Sequence, residues 1–298
     1  MSLARLRKVC KNCKPSSVTT YWYNIRTLAR LAGKDDVPAK GTWLNDALRK
    51  RVGEMPLQRR KRYAAAAVKA SQMYGTKSEK WVLLMSKASE QYARQRETGK
   101  RTKREHENWP KDGYKALKKL ADTMHGEMKF LESKDVWSRS DLYHYQKYLI
   151  VRFYSTHALR GDLADVRLKR PLGSNWYNAK KHTLHIGEHK TAKARGALTI
   201  ELTDASVRRA FDVFVPHAKK RKHGFLLSTL RTDNRLSRHD MLKLIRNLTK
   251  DRLGKNIGVQ LIRVLKVSAH QKEIDKATDL QQELGHSGAM QRRYISRD

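Results

Sequence analysis

Leu184-His185-Ile186-Gly187, then a polar turn, then Leu198-Thr199-Ile200-Glu201-Leu202: on both sides of the turn apolar and polar residues alternate with a period of two. That alternation is the signature of half-buried strands, and Gly196 stands at the entry to the second run. The β signal is confined to roughly residues 175–202. The pattern therefore predicts an α+β chain, mainly α with a small β-sheet or hairpin.

The flanks read as helix. Upstream, Tyr114, Leu117, Leu120, Ala121 and Met124 share a helical stripe, and Leu142 to Tyr154 is a second block rich in aromatic and aliphatic residues. Downstream, helices are expected from Ala205 onward, interrupted near Leu230–Asn234 and at Gly254. Residues 15 to about 96 form a separate helical region. There Tyr21, Ile25, Leu28 and Ala32 lie on one face, with Ser16, Ser17, Thr19 and Thr20 as candidate N-caps and Gly33 placed to end the helix. Further helices are predicted over Trp43–Val52, around Tyr63–Val68, and along Trp81, Leu84, Ala88 and Tyr92. From Arg94 to Trp109 the chain is almost wholly polar, as suits a charged linker or an exposed helix extension. The expected organisation is a basic tail over 1–14, a helical domain over 15–108 with a basic linker at its end, and a second domain over 109–298.

Charge narrows the class of partner. Sixty-five Lys+Arg against 29 Asp+Glu give a formal charge of +36, spread along the chain. Such an excess opposes compaction by self-repulsion unless a polyanion is close, and nucleic acid is the expected partner. The cluster Arg59-Arg60-Lys61-Arg62 and the linker residues Lys100, Arg101, Lys103 and Arg104 are the candidate phosphate contacts. No segment approaches a twenty-residue apolar run, and residues 1–14 lack the apolar core of a signal peptide, so an intracellular protein without a membrane partner is expected. The only cysteines, Cys10 and Cys13, read as incidental. A zinc site needs four ligands, which histidines or another subunit would have to complete.

One constellation goes beyond charge. In chain order the sequence carries Arg160 (in Ala158-Leu159-Arg160-Gly161-Asp162-Leu163), Lys190 (in His189-Lys190-Thr191), Arg263 (in Gln260-Leu261-Ile262-Arg263), His286 (in Leu284-Gly285-His286-Ser287) and Tyr294. This order and spacing resemble the tyrosine recombinases, the phage-integrase family, over residues 110–298, and more those of DNA viruses and mobile elements than chromosome-resolution enzymes. The resemblance implies a helical core-binding domain that clamps duplex DNA, followed by a catalytic domain. It also implies strand cleavage and rejoining through a 3′-phosphotyrosine bond, with no cofactor or metal and normally a homotetrameric synaptic complex. By the same resemblance Arg160, Arg263 and His286 hold the scissile phosphate. Lys190, with Lys193 as its rival in the same turn, protonates the leaving 5′ oxygen, and Tyr294 is the nucleophile. The residue types suit the chemistry: guanidinium forks match pairs of phosphate oxygens, and a phenolate can attack phosphorus.

The chain departs from the family pattern at three places. Gln260 stands where the family usually has histidine or lysine; an amide can contact phosphate but cannot act as a base at neutral pH, and His270 or a water is the substitute to consider. Leu163 occupies the place of an acid, with Asp162 and Asp165 on either side. Only four residues follow Tyr294, so a docking tail would need other contacts or more chain. The alternatives are a type IB topoisomerase, a recombinase-derived DNA-binding protein that no longer cuts, and a basic ribosomal or chromatin-like scaffold.

Overall fold

The computed structural model describes residues 2–170 and 172–283. The chain separates into two compact units, Met1–Arg101 and Thr102–Asp298. It is mainly α-helical with one small antiparallel sheet.

The first unit holds α1 (Leu3–Val9), α2 (Pro15–Leu31), α3 (Asp46–Gly53), α4 (Leu57–Tyr74) and α5 (Glu79–Glu97), with a single 3-10 turn at Gly41–Trp43. The first residues, expected as a tail, instead form α1, because Leu6 and Cys10 are buried against the rest of the unit. Basic neighbours hide these few apolar positions in the sequence. The alanine run of α4 has the highest helix propensity in the chain, and its small side chains let α2 and α5 pack close against it. Gly75, at φ +68, ends α4 in the left-handed conformation.

The second unit begins earlier than the Trp109-Pro110 step suggests. Thr102 and Glu105 form a reciprocal capping box at α6 (Lys103–Glu107). Lys255 Nζ donates to the Glu107 carbonyl at 2.9 Å, and the Asn256 N–H to Asn108 Oδ1 at 2.8 Å. These bonds tie the short helix to the second unit. The polar stretch is thus divided, with α5 extending through its first part. Next come α7 (Lys115–Glu132) and α8 (Arg139–Tyr154). The second half of α8 is buried all round from Tyr148 to Tyr154 and is the centre of the core, with Tyr145, Leu149, Phe153 and Tyr154 fully enclosed by α7 and by α10 (Ala205–Lys219).

The sheet order is β1 (Asn175–Asn178), β2 (Thr183–Ile186), β3 (Leu198–Glu201), antiparallel throughout, with Leu184 opposite both Tyr177 and Ile200. Between β2 and β3 lies a single short turn of helix, α9 (Ala192–Arg195). The remaining described helices are α11 (Arg238–Leu253), α12 (Val259–Ala269) and α13 (Gln271–Glu283). Among the described residues, no helix is long and apolar enough to cross a membrane.

Candidate functional site

The site lies within the second unit, where the segment after α8 meets α11 and α12. After Tyr154 the chain leaves the core and reaches Arg160, which precedes a 3-10 turn at Gly161–Asp165. Three contacts fix this segment. The Tyr154 phenol donates to the Arg160 carbonyl at 2.6 Å, and the Tyr114 phenol to the Tyr154 carbonyl at 2.9 Å. Burial raises the pKa of both phenols, so both stay protonated as donors. Gly161 packs directly on α11: a Cβ there would stand 2.8 Å from Arg238 Cγ.

A charge network lies behind the turn. Arg238 sits 3.1 Å from Asp162 Oδ1 and also bonds Asp165, which Arg235 bonds as well. Asp162 is buried; desolvation raises its pKa, and Arg238 opposes that rise. The two acids next to Leu163 therefore make their ion pairs with arginines of α11 and its approach, and Arg160 acts on Asp162 only at longer range.

α12 carries Gln260 and Arg263 on its exposed side, while Val259, Leu261, Ile262 and Leu265 enter the core. One turn beyond Arg263, Lys266 Nζ donates to the Thr156 carbonyl, which ties α12 to the strand of chain that carries Arg160. Burial lowers the Lys266 pKa. At the other end, the Thr249 hydroxyl accepts the Ile257 N–H at 3.0 Å and fixes the turn between α11 and α12. Gly258 caps α12 with room for no more than light contact, since a Cβ would lie 3.4 Å from Arg246.

These restraints open a cavity of about 510 Å³ lined by Arg104, Arg160, Gly161, His239, Leu242, Arg246, Gly258, Val259, Gln260 and Arg263. Arg160 and Arg263, far apart in sequence, line the same cavity, and the Arg263 guanidinium contacts Gln260 Oε1 at 3.5 Å. Four guanidinium side chains and an imidazole face a space whose lining has no carboxylate. Among the described residues none of the four arginines pairs with an acid. Cations gathered without counterions repel one another, and an anion in their midst removes that repulsion.

Of the other expected residues, Lys190 and Lys193 are exposed between β2 and β3 and do not line this cavity. Lys190 follows His189, whose charge acts on Asp162, so its loop starts beside the network behind Arg160. His270 ends α12, faces solvent near Glu273, and takes no part in the cavity. His286 and Tyr294 lie outside the described residues. Arg104, expected only as a linker contact, lines the site; Lys100 and Lys103 are exposed nearby in sequence.

On α4 the basic cluster fans out, as consecutive helical residues must. Arg59 and Arg62 are exposed, Arg60 bonds the Met55 carbonyl at 3.2 Å, and Lys61 lies over the Tyr92 ring at 5.0 Å. Sequence reasoning missed His239 and Arg246. Their spacing with Leu242, on one face of α11, was the available signal. Cys10 is buried and Cys13 partly so, and among the described residues no group of three or more His, Cys, Asp or Glu could hold a metal ion. No protein-family model matches this chain, and no curated protein is similar to it.

Proposed function

We propose that the protein is a DNA strand-cleaving and rejoining enzyme of the tyrosine-recombinase type, a site-specific recombinase or integrase that acts on double-stranded DNA without metal or cofactor. The observation that carries the proposal is the meeting of Arg160, Gln260 and Arg263 around one anion-seeking cavity, from positions that sequence order alone leaves unconnected. A phosphodiester resists attack because a nucleophile must approach negative charge. Two preorganised guanidinium groups on the non-bridging oxygens relieve that repulsion most where the pentacoordinate transition state concentrates it.

In this reading the Tyr294 phenolate attacks phosphorus. A 3′-phosphotyrosine bond forms, the bond to the 5′ oxygen breaks, and Lys190 gives that oxygen its proton. Attack by the freed 5′ hydroxyl of a partner strand reverses the step and regenerates the phenol. Gln260 steadies a phosphate oxygen, and His286 supplies a further donor. His239 lines the same cavity as Gln260, which stands where the family usually has a base. Strand exchange between two DNA sites calls for four protomers.

The test is covalent trapping on a nicked suicide substrate that carries the element's own terminal sequences, in chelator, with wild type beside Tyr294→Phe. An adduct on a denaturing gel for wild type alone supports the reading. No adduct despite tight binding of the same DNA refutes it in favour of a recombinase-derived binding protein, for which Gln260 is the best support. An adduct together with relaxation of any supercoiled plasmid favours a type IB topoisomerase.

A further inference from the structure

The first unit contains a cavity of its own that the strand-cleavage reading does not use. It has a volume of about 540 Å³, within the range of small-molecule sites. Three helices form it. α2 contributes Ser16, Ser17, Thr20, Tyr21 and Asn24, which share one helical face; α4 contributes Gln58, Lys61, Arg62 and Ala65; and α5 contributes Tyr92.

Asn24 is the residue that needs explaining. It is only 4% exposed, it lines the cavity, and its side-chain amide has no hydrogen-bond partner among the described residues. Its amide atoms are not among the buried polar atoms cut off from any partner, so they keep contact with solvent, and a ligand that enters must replace that hydration with hydrogen bonds of its own. The amide's two donors and one acceptor oxygen open onto the cavity. Around it stand two further chemistries. Tyr21 and Tyr92 present aromatic rings, with Lys61 Nζ 5.0 Å from the Tyr92 ring centre. The hydroxyls of Ser16 and Ser17 lie in the first turn of α2, at the positive end of the helix dipole, and Lys61 and Arg62 add full charges. The lining has no acid. Ser16 and Asn24 are separated by about 12 Å along the helix axis.

A ligand that satisfies all three elements has a flat ring to stack, a ring edge that both donates and accepts hydrogen bonds, and an anionic group some distance away. We infer that this cavity binds a single unpaired nucleotide, with its base stacked at Tyr92 and Tyr21, the base edge read by Asn24, and its phosphate held by Lys61, Arg62 and the α2 hydroxyls. Stacking on aromatic side chains tolerates any base, and an amide paired to a base edge adds a preference among them. A fully paired base hides both its faces and its edge, so duplex DNA cannot fill the cavity unless a base leaves the stack.

Calorimetric titration of the full-length protein tests the inference with the four deoxynucleoside 5′-monophosphates, inorganic phosphate, a short single strand and the matching duplex. At least one monophosphate should bind tenfold or more tighter than inorganic phosphate. Asn24→Leu, which keeps side-chain volume, should weaken that binding about tenfold, as should Tyr92→Ala, with phosphate binding unchanged. If the single strand loses affinity in Asn24→Leu and the duplex does not, the natural source is an unpaired nucleotide in a strand. If only the monophosphate responds, the source is a free nucleotide. Nucleotides that bind no tighter than phosphate would overturn the inference, as would Asn24→Leu affinities equal to wild type or equal losses for single strand and duplex. Trapping of the Tyr294 adduct is a separate assay, so either proposal can fail without the other.

Discussion

Tyr154→Phe probes how Arg160 is held. The phenol is buried and donates to the Arg160 carbonyl at 2.6 Å, and no other side chain among the described residues donates to that oxygen. Removing the hydroxyl deletes a hydrogen bond with a net value of about 1 kcal/mol and leaves a carbonyl underbonded, at about 1–3 kcal/mol if water cannot reach it. Arg160 is half-buried, so water replaces part of the loss, and the expected destabilisation is about 1–2 kcal/mol. In urea unfolding this should lower the midpoint by on the order of 0.5–1 M with the slope unchanged.

Tyr145→Phe is the matched control in the same helix. That phenol is equally buried but reaches Glu132 only at 3.5 Å, and Glu132 also holds Arg209 at 2.7 Å and His125 at 3.0 Å. Its loss strands nothing and should destabilise by less than about 0.5 kcal/mol. Tyr154→Phe should also slow adduct formation on the suicide substrate, because the backbone that aims Arg160 is freed, while Tyr145→Phe should not. Equal midpoint shifts for the two variants would refute the claim that the Tyr154 bond positions Arg160.

The same geometry sets further outcomes. Gly161→Ala places a Cβ against the stem of Arg238, which Asp162 and Asp165 hold in place, so it should lower stability by about 1–3 kcal/mol, read as a lower melting temperature. Burial lowers the pKa values of His157, His217 and His223. Their neutral forms therefore stabilise the fold above the ordinary histidine value of about 6.5, and that stability is lost as pH falls through this value toward the folded-state values. All twelve histidines come after residue 101, so hydrogen exchange at pH 7.5 and at pH 5.5 should show weaker protection at the lower pH in the second unit only. Arg160→Lys and Arg263→Lys keep charge but lose the planar fork, and each should slow adduct formation about a hundredfold with little change in duplex affinity. A loss confined to affinity would make them binding residues only.

How far the fold could be read from sequence depended on local contrast. The alternation at Leu184 and Ile186 marks a strand whose apolar residues are fully buried, and pairing with β1 and β3 explains why. The same alternation at Leu198 and Ile200 misleads about depth. β3 is an edge strand, Leu198 is 38% exposed, and the core reaches only as far as Ile200. α8 announced itself by apolar content but not by a face, because its second half, Tyr148 to Tyr154, is enclosed on all sides. α1 was hard to read: Leu3, Leu6 and Cys10 fall at helical spacing, but over so short a stretch and among so many basic residues the pattern is faint.

The candidate site divides along a similar line. Arg160, Gln260 and Arg263 stood out through neighbouring motifs and Arg104 only as part of a basic linker cluster, whereas His239 and Arg246 did not, since among 65 Lys and Arg and 12 His no single basic side chain stands out. What separates them in three dimensions is the presence of an answering acid. Arg152 pairs with Asp122, Arg209 with Glu132, Arg252 with Glu127, and Arg235 and Arg238 with Asp165. These arginines are consumed in holding helices together, and truncating one would strand a carboxylate. Arg104, Arg160, Arg246 and Arg263 line one cavity with no carboxylate in its lining, and among the described residues none of them forms a direct ion pair. A fold gains nothing from gathering unpaired cations, so the arrangement makes physical sense only with an anion bound. Charge composition predicts a polyanion partner for the whole chain; if the proposed reading holds, sorting arginines by whether a carboxylate meets them points to this cavity as the place in the second unit for a phosphate.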